Sequence, residues 1–167
     1  LESRAGTIAE FSDRMYEVAR RMMRQLRPAT LDEFGLISAL QDMIDDWNTR
    51  HEETFCHFEF KGKFDELGEE DNISIYRIVQ ESLTYIVNHA GASDVMVNLN
   101  RVEGDDDHDE LHKVGIHLLI KDNGTGFDVS TPWGLGLLGM RERIEALNGA
   151  FMMKSWINKG VEINVTL

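Results

Sequence analysis

The run Asp122-Asn123-Gly124-Thr125-Gly126-Phe127 sets an acid directly after an alternating apolar stretch, with two glycines bending the chain beside it. A carboxylate at a strand end accepts a hydrogen bond from an exocyclic amine such as that of adenine, and Gly124 and Gly126 let backbone approach a ligand closely. Taken alone, the same letters also make an ordinary Asp-Asn-Gly turn. Further on, Gly134-Leu135-Gly136-Leu137-Leu138-Gly139 opens a helical pattern, and the free N–H groups of a helix start are an anion site suited to phosphates. Formally this is the dinucleotide fingerprint G-x-G-x-x-G. Thr131-Pro132-Trp133 precedes it in place of a strand, however, and no acid follows about twenty residues on, so a Rossmann site is rejected. A third group, Glu81, Tyr85 and His89 at steps of four with Asn88 between the last two, forms a polar stripe on an amphipathic helix. The wet side of any such helix looks similar.

Two other clusters carry no chemistry. The acidic stretch from Gly104 to Glu110 lacks the spaced ligands of a calcium loop and reads as a solvated hairpin tip. Cys56 and His57 are neighbours on a strand and point to opposite faces, which argues against a zinc site with His51. None of the six histidines stands in the helical His-Asp setting of a phosphoacceptor.

The elements that must position these groups are legible in the apolar spacing. Thr7-Ile8-Ala9-Glu10 has the form of a capping box, and Ile8, Phe11, Met15, Val18 and Met22 trace the heptad seam of a coiled-coil-like helix that ends near Pro28. Leu36, Leu40, Met43, Ile44 and Trp47 predict a second helix to about His51, and Ile75, Ile78, Val79, Leu83, Ile86 and Val87 a third between roughly Glu70 and Ala90. A strand is expected over Phe55–Phe60. Strict alternation predicts strands at Val95–Leu99, Val114–Ile120 and Val161–Leu167, and Phe151–Trp156 is expected to pair with the last through a turn at Asn158-Lys159-Gly160. A short helix should cover about Leu137–Leu147. The expected fold is α+β, a two-layer sandwich with helices on one face of a mixed sheet, and the expected division is a helix over 1–28 followed by one domain over 29–167.

Composition narrows the function classes. Hydrophobic residues make up 42% and charged residues 28%, as in folded globular proteins, and 17 Lys+Arg against 30 Asp+Glu give a net charge of -13, which repels nucleic acid. A single cysteine excludes an internal disulfide. No apolar run is long enough to cross a bilayer and nothing resembles a secretory signal, so a cytosolic setting without membrane contact is expected. Starting at Leu1 and stopping on a strand at Leu167, the chain reads as part of a longer protein.

Taken in order, Glu81 to His89-Ala90, then Asp122-x-Gly-x-Gly-Phe127, then Gly134-x-Gly-x-x-Gly-Met-Arg-Glu-Arg143, resemble the ATP-binding catalytic domain of two-component sensor histidine kinases. The nitrate-sensor-like subgroup is closest, on the strength of the short lid from Asp128 to Trp133, Leu26-Arg27-Pro28 with Leu31–Leu36, Tyr76–Thr84, and His89–Ser93. The resemblance covers nearly everything after Leu26 and implies a Bergerat-type ATPase fold. It implies that Asp122 binds the adenine amine, that Gly124, Gly126 and Phe127 line the base, and that Gly134, Gly136, Leu137, Gly139 and Met140 wrap the phosphates. By the same resemblance Asn88 and His89 would contact nucleotide, and Glu81 would be catalytic and hold Mg2+. The implied reaction is γ-phosphoryl transfer from Mg-ATP to a histidine on an upstream helix, then to a response regulator receiver domain. Homodimerisation through the N-terminal helix is implied too, in what would be the cytoplasmic part of a sensor. Gyrase-like ATP hydrolases are more distant relatives and need longer lids.

Three residues depart from the family pattern. Tyr85 stands where the family has the asparagine that holds Mg2+, Asn88 where a lysine or arginine is usual, and Val161 where a threonine serves the adenine network. They keep a second reading open, a pseudokinase or docking domain with weak or Mg-independent nucleotide binding.

Overall fold

Leu36, Ala39, Leu40, Ile44 and Trp47 recur at helical spacing and are all buried along one side of helix α1 (Ala29–Arg50). The computed structural model describes residues 29–102, 115–129 and 133–167. The predicted capping box and heptad seam, the acidic stretch at 104–110, Val114 and part of the short lid lie outside the described residues. Helix α1 starts before the predicted apolar run and is kinked at Gly35, whose φ of 77° is a left-handed geometry that only glycine takes without strain.

Helix α2 (Glu69–Tyr85) opens on Glu69, Glu70 and Asp71, acids that favour the positive end of the helix dipole, and buries Ile75, Ile78, Val79 and Leu83. The pattern predicts one α-helix to Ala90. Instead the last five residues, Ile86–Ala90, wind as a π turn and stop at Gly91, which is left-handed with φ 56°. Bonding from i to i+5 places one more residue in the turn, so side chains after Tyr85 leave the α-helical register.

Five strands make one mixed sheet in the order β1-β2-β3-β5-β4, from β1 (Phe55–Lys61), β2 (Asp94–Val102), β3 (Gly115–Asp122), β4 (Ala150–Trp156) and β5 (Gly160–Thr166). Strands β1 and β2 are parallel and the other pairs antiparallel. The register stacks Val97, Ile120, Ile163 and Met153 across four strands, on the same face as Val95, Leu99, Leu118 and Val165. Alternation sends the intervening side chains, among them His57, Met96, His117, Lys121 and Met152, to an exposed face. The helices cover the apolar face: α1 packs on β1 and α2, α2 on β3, and α3 (Leu135–Glu145) on α2 and β4 through Leu137, Met140 and Ile144. The result is the α+β two-layer arrangement that the alternation predicts. No helix among the described residues is long and apolar enough to cross a membrane.

The outer edge of β1 is closed by a side chain. Asn48 on α1 accepts the Cys56 N–H at 2.8 Å and donates to the Cys56 carbonyl at 2.9 Å, imitating a neighbouring strand. Replacing Asn48 by alanine leaves both backbone groups without that partner, so the variant should lose about 1–3 kcal/mol in urea unfolding. An unchanged midpoint would show that water replaces the amide at no cost.

Candidate functional site

Alternation along β3 carries Ile116, Leu118 and Ile120 into the core and delivers Asp122, at the strand end, to the same face, where only 4% of it remains exposed. Its Oδ1 accepts the Gly124 N–H at 2.8 Å and its Oδ2 the Val161 N–H at 3.2 Å. Burial raises the carboxyl pKa above its ordinary value, while these two amide bonds oppose the rise. The backbone of Val161 thus serves the carboxylate whichever side chain residue 161 carries.

Three glycines let the surrounding backbone close on this acid. A Cβ on Gly124 would overlap the Ala90 carbonyl, at the end of the π turn, and Thr125 N–H bonds that same carbonyl at 2.8 Å. Gly126, with φ 59°, lies against the Trp156 carbonyl, and Gly160, with φ 85°, against the Asp122 carbonyl. The loop is tied further by Asn158 N–H to Thr125 O at 2.6 Å and Phe127 N–H to Ser155 Oγ at 2.7 Å. Asn123 holds the other side, its Oδ1 accepting the N–H groups of Ser93 and Asp94.

A cavity of about 10 Å³ lies beside Asp122, walled by Ser82, Tyr85, Ile86, Leu137 and Val161 among others. That volume holds about one water. The Tyr85 ring stands 6.0 Å from that of Phe127 and 5.0 Å from that of His89. Burial, and after it the charge of Asp122, raise the Tyr85 phenol above its ordinary pKa, which keeps it neutral. A second cavity of about 50 Å³ opens between α2 and α3, lined by Arg77, Gln80, Glu81, Gly136, Gly139 and Arg143 and by Met140, to whose Sδ the Ser82 hydroxyl donates at 3.6 Å. Gly136 admits Glu81 closely, since a Cβ there would stand 2.5 Å from Oε1. Gly134 precedes α3 and offers it no side-chain cap, and a helix start of this kind favours an anion.

The structure therefore brings Asp122 and Leu137 together at the first cavity, sets Gly124, Gly126 and Phe127 in the loop that follows the acid, and gathers Glu81, Gly136, Gly139 and Met140 around the second. Gly134 lies at the mouth of α3, and His89 is exposed beside Tyr85. Asn88 is placed elsewhere. Its Nδ2 donates to the Thr84 carbonyl at 2.8 Å, and it lines a groove of about 300 Å³ between α1 and α2 with Trp47 and Val87. The π turn that begins after Tyr85 is the reason it leaves the Glu81 side. Sequence reasoning missed Ser82, Arg77 and Arg143. Ser82 had a signal, being a hydroxyl within an apolar stripe, whereas the arginines join the site only through helix pairing.

Among the described residues no group of three or more His, Cys, Asp or Glu side chains could hold a metal ion. Cys56 is buried, and burial, with Asp94 adding to it, pushes its thiol up to about 12, which makes it unreactive. His57 reaches Asp94 at 3.2 Å on the exposed face of the sheet.

The chain is 33% identical over 150 residues to the signal transduction histidine-protein kinase/phosphatase DegS of Brevibacillus brevis, a match covering 89% of this chain and 36% of that protein. It is 30% identical over 161 residues to UhpB of Salmonella typhimurium, also a signal transduction histidine-protein kinase/phosphatase, covering 96% and 30% respectively. The chain thus spans about a third of the length of these curated relatives. The histidine kinase domain of the Erythrobacter litoralis EL346 blue-light activated histidine kinase shares the fold, with a TM-score of 0.57 at 16% identity over 77% of this chain and 58% of that one. No family model matches the chain.

Gly160→Ala tests whether the hairpin and the acid are built together. The new methyl would meet the Asp122 carbonyl at a backbone angle that disfavours any side chain, so unfolding should show a loss of more than about 2 kcal/mol. A smaller loss would mean that the hairpin moves freely from Asp122.

Proposed function

We propose that this chain, which belongs to the sensor histidine kinase family, serves as the ATP-binding catalytic domain, presenting the γ-phosphate to a histidine outside it for relay to a response regulator receiver domain. The observation that carries this reading is the buried Asp122, fixed by two backbone amides at one end of a seam whose other end is the N-terminus of α3 beside Glu81. A carboxylate offers about four lone-pair sites, so after two amide bonds Asp122 still has acceptors for an adenine amine. Tyr85 and Phe127 would flank the base, and the first N–H groups of α3 would meet the phosphates. The cavity at Asp122 is smaller than a base, so the Tyr85 ring, which walls it, would have to move for one to enter. Dimerisation through residues 1–28 belongs to the same reading.

The residues present suit a base and an anion better than a metal ion. Magnesium bound to nucleotide phosphates usually takes one or two protein carboxylates, and Glu81 is the one carboxylate at the cavity beside α3. Tyr85 offers a neutral phenol, a poor ligand for a hard cation, and Asn88 faces the other groove. When bound, Mg2+ would neutralise phosphate charge. Tyr85 and Asn88 favour the second reading, a degenerate pseudokinase or docking domain with weak or Mg-independent nucleotide binding.

Calorimetric titration tests both. Asp122→Asn presents a donor where the amine needs an acceptor, and should abolish ADP binding; binding as tight as the parent's would displace the base from Asp122. Under the second reading, Mg2+ should add little to ATP affinity in the parent, and Tyr85→Asn should restore roughly 10- to 100-fold, the usual worth of a supporting group at a metal site. Tyr85→Phe, the control for lost packing, should respond as weakly as the parent. Strong Mg2+ dependence in the parent would remove the second reading.

A further inference from the structure

Arg77, Gln80 and Glu81 on α2 fall at steps of three and four, as do Gly136, Gly139, Met140 and Arg143 on α3, so two side-chain stripes face each other along one seam. The glycines keep α3 bare at its start, and the cavity between the stripes, about 50 Å³, is several times the 10–15 Å³ or so that one water needs. Two guanidinium groups border it against the single carboxylate of Glu81. In a chain of net charge -13 that is a local reversal of sign.

The arginines of α3 have different commitments. Arg141 lies over the Trp133 ring, 5.1 Å from its centroid, and its Nε is 3.7 Å from Glu145. Arg143 forms no ion pair with any described residue and borders the cavity. This cavity and the one beside Asp122 lie one after the other along the same pair of helices. Tyr85 and Ile86 wall the Asp122 cavity, Glu81 and Arg77 wall this one, and the helix from Arg77 to Ile86 spans about 13 Å. Asn88, at the position where a cation is usual in the family, has no charge and faces away.

We propose that Arg143, with Arg77 opposite, binds the terminal phosphate of a nucleoside triphosphate whose base lies at Asp122, and that this pair distinguishes triphosphate from diphosphate. A guanidinium fork matches phosphate oxygens with two parallel N–H bonds, which a lone amide cannot do. The inference rests on the nucleotide reading above.

Its test is titration of the full chain with ADP and ATP in the presence of a chelator, so that no metal contributes. The parent should bind ATP more tightly than ADP. Arg143→Gln should weaken ATP about tenfold and leave ADP within about twofold, as expected for loss of a charged hydrogen bond to one phosphate only. Arg143→Lys should recover part of the ATP affinity, because it restores charge without the fork. Retained ADP binding shows that the variant is folded. Equal losses for both nucleotides, or none, would overturn the assignment of Arg143 while leaving the nucleotide reading in place. A parent that binds no ADP at all would overturn the nucleotide reading, and this inference with it.

Discussion

A carboxylate removed from water must be given donors, and the structure around Asp122 is arranged to supply them from backbone. One amide comes from Gly124, two residues on, and the other from Val161, on a strand that returns from the far end of the chain. Delivering the second requires β5 to pass beside the end of β3 so closely that position 160 has no room for a side chain. The glycine loop, the end of the π turn and the β4–β5 hairpin all converge on this one group. Their close carbonyl contacts tie the acid to the segments around it.

The π turn decides what faces that unit. Its last carbonyl, on Ala90, accepts the Thr125 N–H and bounds Gly124, so the winding of the turn and the position of the glycine loop are coupled. Winding over i to i+5 leaves Tyr85 on the Asp122 side and moves Asn88 to the groove shared with α1. Where the resemblance implies that Asn88 would contact nucleotide, the chain presents an aromatic wall of Tyr85 and Phe127. Polar and charged character is displaced one turn earlier on α2, toward Glu81 and Arg77.

Charge follows the same division. The chain is acidic as a whole, yet the seam between α2 and α3 gathers two arginines, Arg77 from the middle of α2 and Arg143 from the last turn of α3. The base end of the site is small and largely apolar apart from Asp122, and the other end is polar and larger. Such a gradient suits a ligand with a flat, weakly polar head and an anionic tail.

Much of this was fixed by sequence alone. Alternation at Val95–Leu99, at Ile116–Ile120 and at Val161–Val165 specified strands with one buried face, because a side-chain period of two leaves no other way to bury every second residue. The same parity put Asp122 on the inner face, and the glycines around it marked places where backbone had to come close. Three things were decided only by tertiary structure. The end of α2 reads as continuous helix in the apolar pattern, which carries no signal for the π winding found at Ile86–Ala90, where the Ala90 carbonyl meets the loop after β3. The second donor to Asp122 is a backbone amide, which has no letter in the sequence, so the substitution of valine at 161 looked like a loss and leaves that bond in place. Arg77 and Arg143 are far apart along the chain, and they border one cavity only because α2 and α3 pack side by side on the sheet.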